Sequence, residues 1–368
     1  MASTHLNSAS SVFGEGKLKV ESVIVEPFQR PHPPKCLFVT YPKEEGEYPV
    51  LLFFHGTSTL HLLYKQLLLH ISSHGFIVVA PQLHIIPFKK DIEEDKTESS
   101  EKDIEDATKL HPLSFIELPK KHGGQEEATK GTDKDIEDAT KAELFTIVRQ
   151  NSKADIEDAI KVTNWLPDGL KSVLPPGVKA NLDELALGGH SRGGHTAFSI
   201  ALGYGPPSSL KFSALIGVDP VAGTSESSQL EPKILTENES FKLGVPVMVI
   251  GSGLGQESIM PPMPACAPKG VNHRDFYKRC QPSCCHFVVE GFGHMDMLDD
   301  NAAAAIMGCL CKGGESREPM RRSVGGLVVA FLNAYLEGDK GDLLSIVHEH
   351  EHIAPAVLNP AELREKEK

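Results

Sequence analysis

The stretch LALGGHSRGGHTAF, residues 185–198, constrains the fold of this chain more than any other. A β-type apolar run ends in Gly189-His190-Ser191-Arg192-Gly193, and an apolar helical pattern follows. A serine between strand and helix, with a glycine two residues away on each side, fits a very tight turn. Glycines there avoid clashes between strand and helix and let the turn lift the Ser191 hydroxyl above a sheet. The spacing G-x-S-x-G is common by itself. Its strand–turn–helix setting is what makes Ser191 a candidate nucleophile.

The rest of the chain supplies such a sheet. β-rich runs fall at 37–41, 49–54, 76–80, 185–188, 212–218, 245–250 and 286–289. Most are continuously apolar, as strands buried on both faces of a parallel sheet are. Helical patterns fall between them at 64–73, 156–166, 193–202 and 302–310, with a last one at 324–336. This alternation predicts an α/β fold with a mainly parallel central sheet and helices on both faces. With 40% AVILMFWYC among 368 residues, the chain can bury a core of that size.

One domain is expected over 16–338, with a flexible segment at 1–15 and a polar tail at 339–368. The tail carries HEHEHIAP at 348–355, which reads as a solvated run rather than a metal site. An acidic insert interrupts the domain at 91–152. Most of the net charge of −13 originates between Asp91 and Lys161, which hold 20 of the 50 acidic residues. KDIEDATK occurs twice, at 102–109 and 134–141, with related copies at 90–95 and 154–161. The unequal steps between copies exclude a solenoid, which needs a fixed period. Only the last copy runs on into an apolar helix face, so Asp155 is expected to cap the start of that helix.

A serine hydroxyl needs a base within hydrogen-bond reach, and the base needs an orienting acid. In the α/β-hydrolase fold the chain order is Ser, then Asp or Glu, then His. Among 17 histidines, His294 in GFGHMDM fits best, in a Gly-flanked loop after the last apolar run. His55, His190, His273 and His286 are weaker candidates, and the His190 side chain is expected to point away from the serine. For the acid, Asp219 ends the run FSALIGVD, and Glu257 follows the next strand. Asp219 is preferred because active groups of open α/β sheets gather at the carboxyl ends of strands. Two backbone N–H groups should bind the developing oxyanion: that of Arg192, after the nucleophile, and that of Thr57, in LLFFHGTS after an early strand.

The acidic balance disfavours nucleic acid as a partner, since phosphate binding needs a basic face. No apolar run reaches the ~18 residues of a membrane span. Seven cysteines are too few for a disulfide scaffold, and C-x3-C-C at 280–285 is not a zinc pattern. One or two disulfides or free buried thiols are expected instead.

Several strings in order resemble the plant chlorophyllase family: LLFFHGTS, VAPQL at 79–83, NWLPDGL at 164–170, GHSRGG, GVDPVAG at 217–223 and GFGHMDMLDD at 291–300. The resemblance implies a serine carboxylesterase that hydrolyses the phytol ester of chlorophyll to chlorophyllide and phytol. It also implies a triad on Ser191, Asp219 and His294, and no cofactor; any magnesium would belong to the substrate. A lipophilic substrate implies peripheral membrane contact. The chloroplast is the implied compartment, although the N-terminus shows no clear transit peptide. The competing expectations are an esterase of another lipophilic ester, and a non-catalytic binder of a tetrapyrrole or small ligand.

Overall fold

The computed structural model describes residues 12–57, 59–84, 133–236, 239–259, 264–300 and 311–366. Nine strands form one sheet: β1 (Val20–Val25), β2 (Leu37–Pro42), β3 (Gly46–Phe54), β4 (Ile77–Pro81), β5 (Val178–His190), β6 (Ala214–Val218), β7 (Val247–Ser252), β8 (Cys284–Val289) and β9 (Leu358–Arg364), in the spatial order β1-β2-β4-β3-β5-β6-β7-β8-β9. The six strands from β4 across to β8 pair in parallel, and antiparallel strands flank them. This is the mainly parallel α/β-hydrolase sheet expected from the sequence.

The continuous apolar runs have a direct cause. In β3, Leu51 and Phe53 face one core, while Val50, Leu52 and Phe54 face another. The first core is roofed by α1 (Lys65–Ser73), α5 (Glu318–Leu332) and α6 (Gly341–Ile353). The second lies under α2 (Asp133–Val173), α3 (Arg192–Ala201) and α4 (His273–Arg279). Burial of each such side chain contributes about 1.5–3 kcal/mol, so both faces must be covered.

The register aligns the carboxyl ends of the parallel strands. Phe54 pairs with Gly189, His190 with Val218, Val218 with Ile250, and Ser252 with Val289. The loops carrying Thr57, Ser191, Asp219 and His294 all leave from that edge.

Three boundary expectations change. The segment 339–368 was expected as a polar tail, but its described residues include α6 and β9. Leu343 and Ile346 of α6 are fully buried, and β9 adds an antiparallel edge to β8. Arg364 fastens that edge, its guanidinium 4.0 Å above the Tyr277 ring and its Nη2 donating to the Tyr277 carbonyl at 2.8 Å. Within the segment expected to be flexible, Val12 and Phe13 are buried, and Arg322 Nε donates to the Phe13 carbonyl at 3.0 Å. Finally, Asp155 lies well inside α2, which starts at Asp133, so it cannot cap that helix. Residues 91–132 of the expected insert and the helix expected at 302–310 lie outside the described residues.

Candidate active site

Ser191 joins β5 to α3 with φ 55° and ψ −123°, a conformation that costs a non-glycine residue about 1–3 kcal/mol. The surrounding packing imposes it. A Cβ on Gly189 would lie 2.4 Å from the Gly193 carbonyl carbon, and one on Gly193 would lie 2.2 Å from the Phe54 oxygen. Strand and helix therefore approach to backbone contact only where side chains are absent. Serine is a good helix cap, yet here its side chain makes no capping bond to α3. The hydroxyl faces His294 instead.

His294 Nε2 lies 2.9 Å from Ser191 Oγ, and His294 Nδ1 lies 2.8 Å from Asp219 Oδ2. Asp219 directly follows β6 and also adopts a positive φ of 40°. Its carboxylate accepts from the backbone N–H of Ser252 at 3.2 Å and from the Ser252 hydroxyl. Burial alone would raise the Asp219 carboxyl. The hydrogen bond and charge of His294, with help from His273 and Ser252, outweigh it and hold the group at about 2. It is therefore a carboxylate across the neutral range, placed to fix the ring of His294 with its proton on Nδ1.

The other acid candidate is elsewhere. Glu257 is about half exposed and pairs with Lys312. The weaker histidine candidates are engaged in other contacts. His55 Nε2 accepts from the Leu83 N–H at 3.0 Å, and His273 Nδ1 meets His286 Nε2 at 2.9 Å. Burial pushes all three below the ordinary imidazole range, His55 and His286 to about 3. His190 bonds the Tyr64 hydroxyl through Nδ1 at 2.7 Å and the His294 carbonyl through Nε2 at 2.9 Å, and its ring packs 4.6 Å from that of His294.

Arg192 opens α3, so its amide sits at the positive end of that helix. The loop after β3 runs beside the same turn. A Cβ on Gly56 would come 3.1 Å from Ser191 Cβ, and Thr57 is the next residue. The Arg192 side chain is fully buried, with Nε 2.6 Å from Asp155 Oδ2.

Sequence patterns did not reveal the Ser252 and Asp155 contacts, nor the Tyr64 hydroxyl 2.7 Å from His190 Nδ1. Ser252 stands at the carboxyl end of β7, and the strand-end rule that selected Asp219 would also have selected it. Nothing in the sequence marks Tyr64 beside His190, or Asp155 beside Arg192. Of the cysteines, Cys266 and Cys311 form a disulfide, while Cys280, Cys284 and Cys285 are buried free thiols.

A family model described as Chlorophyllase matches residues 8–109 and 140–365. Chlorophyllase-2 of Arabidopsis thaliana is 39% identical over 358 residues, covering 92% of this chain and 93% of the relative. Chlorophyllase-1 of Arabidopsis thaliana is 39% identical over 362 residues, covering 95% and 92%. Chlorophyllase-1, chloroplastic, of Citrus unshiu is 38% identical over 338 residues, covering 90% and 82%. The unmatched internal stretch, 110–139, falls inside the segment expected as an insert.

Proposed function

The chain belongs to the chlorophyllase family, and from that premise we propose that Ser191, His294 and Asp219 hydrolyse the phytol ester of chlorophyll. The observation that carries this reading is the unbroken hydrogen-bonded line from Asp219 through His294 to Ser191, at 2.8 and 2.9 Å.

His294 Nε2 takes the proton of Ser191 Oγ as the oxygen attacks the ester carbonyl. The N–H groups of Arg192 and Thr57 stabilise the tetrahedral oxyanion. As the intermediate collapses, His294 returns the proton to the departing oxygen and phytol leaves. Water then attacks the acyl-serine with His294 again as base, and chlorophyllide is released. Throughout, Asp219 holds the tautomer and stabilises the imidazolium.

Two Citrus relatives are named chloroplastic, which supports the chloroplast as the working compartment. Among the described residues no helix is long and apolar enough to cross a membrane. Peripheral contact is our reading of how a lipophilic ester is reached. It is supported by exposed Leu60 and Ile259, in the loops that follow β3 and β7.

Incubation with chlorophyll, with chlorophyllide and phytol measured by chromatography, tests the assignment. Ser191→Ala should remove at least 1000-fold of the turnover while the circular dichroism spectrum is unchanged. Near wild-type hydrolysis by that variant would falsify the role of Ser191.

A further inference from the structure

His190 is the last residue of β5, immediately before the serine, and it is fully buried. Its two ring nitrogens reach in different directions. Nε2 lies 2.9 Å from the backbone carbonyl of His294, and Nδ1 lies 2.7 Å from the Tyr64 hydroxyl. A carbonyl only accepts, so Nε2 carries the proton. The neutral ring then accepts at Nδ1, and Tyr64 donates to it. The Tyr64 oxygen in turn accepts from the N–H of Gly56 at 3.0 Å. Thr59 Oγ1 closes the turn by donating to the Gly56 carbonyl at 2.8 Å.

One buried ring therefore ties the main chain of His294 to the main chain beside Thr57. We propose that His190 and Tyr64 are positioning residues that fix the base loop against the oxyanion loop. This inference rests on the triad assignment above. Three physical points carry it. Asp219 orients only the side chain of His294, and its backbone needs a separate anchor. The Gly56 N–H precedes the proposed oxyanion donor by one residue, so a shift there moves that donor. The His190 ring also lies against the ring that becomes an imidazolium, and a neutral neighbour adds no repulsion there. Burial and the adjacent His294 keep His190 well below the ordinary imidazole range. Burial pushes the Tyr64 hydroxyl up to about 12, so it remains a donor.

The test is kinetic. Tyr64→Phe removes one oxygen and keeps the ring packed on Phe53. It should lower kcat by about 10–100-fold with KM changed less than about twofold, because misplacement near the reacting atoms acts on the transition state. The rate of fluorophosphonate labelling of Ser191 should fall in parallel. His190→Gln, whose amide donates to the His294 carbonyl and accepts from Tyr64, should recover at least about tenfold over His190→Leu. If Tyr64→Phe labels and turns over within about twofold of wild type, the inference is overturned. It is likewise overturned if the glutamine variant is no better than a folded leucine variant. Should the leucine variant fail to fold, Tyr64→Phe alone decides. Wild-type protein left unlabelled at Ser191 would remove the triad assignment itself, and this inference with it. Labelled wild type with an unaffected Tyr64→Phe removes only the inference.

Discussion

Replacing Asp155 should unfold much of this protein's margin of stability. The carboxylate sits on α2 with 2% of its side chain exposed, and so does the Arg192 side chain it meets at 2.6 Å. Its second oxygen accepts from His84 Nδ1 at 3.1 Å. Opposite unit charges about 4 Å apart attract by about 4 kcal/mol at an effective dielectric of about 20. Truncating one member of a buried pair costs about 3–5 kcal/mol, because the other charge stays buried without it. Against a typical total of about 5–15 kcal/mol, Asp155→Ala should lose about a fifth or more. Urea unfolding followed by fluorescence suits the question, since the single tryptophan, Trp165, lies on the same helix. Asp155→Asn should cost less, because it keeps an acceptor and loses only the charge. Burial pushes the Asp155 carboxyl up, but His84 and Arg192 outweigh it and hold it below its ordinary value. A lowered carboxyl contributes stability that is complete above its unfolded value near ~4 and fades as pH falls through the folded one. The gap between wild type and Asp155→Asn should therefore be widest at neutral pH and narrow below pH ~4. An alanine variant that loses under about 1 kcal/mol, or an asparagine gap that is constant with pH, would refute the assignment of a buried ion pair.

Gly193→Ala would push a methyl group into the Phe54 carbonyl, 2.2 Å away, and this neighbour is backbone that cannot rotate aside. The elbow should open and kcat fall at least about 100-fold, and an unaffected variant would show that the close approach is not required. Asp299→Asn probes the opposite pH trend. Burial pushes the Asp299 carboxyl up to about 6, so its contribution is greatest below ~4 and is lost as pH rises through 6. The asparagine keeps an acceptor for the Gln66 N–H, bonded at 3.0 Å to Asp299 Oδ1. Its unfolding midpoint should gain on wild type between pH 4 and pH 7, and a pH-independent difference would count against this account.

Legibility in the sequence followed burial. The seven strands with continuous apolar runs are internal or lie next to the edge, and two-sided burial leaves a plain pattern there. β1, VESVIV, and β9, LNPAELR, are half-exposed edges, so their polar residues hid them. In α6 Leu343 and Ile346 are fully buried beside a polar HEHEH run, so its burial leaves little pattern. The elbow and the proposed acid and base, Asp219 and His294, could be picked from the sequence because the fold fixes the order of such groups and their places at strand ends. Asp155 was misread as a cap because an acid before an apolar run fits one. Its partner stands 37 residues away, and only the fold brings it near. The same holds for His190: its partners Tyr64 and His294 stand 126 and 104 residues away, and only the fold brings them to its ring.

In the proposed reaction the ester is opened through a covalent bond to one hydroxyl, that of Ser191. Rapid quenching during turnover of a slowly deacylating ester, followed by mass spectrometry of the digested chain, tests it most directly. An acyl adduct is expected on the peptide containing Ser191, and none in Ser191→Ala. Turnover with no adduct on that peptide, or with the acyl group on another residue, would contradict it.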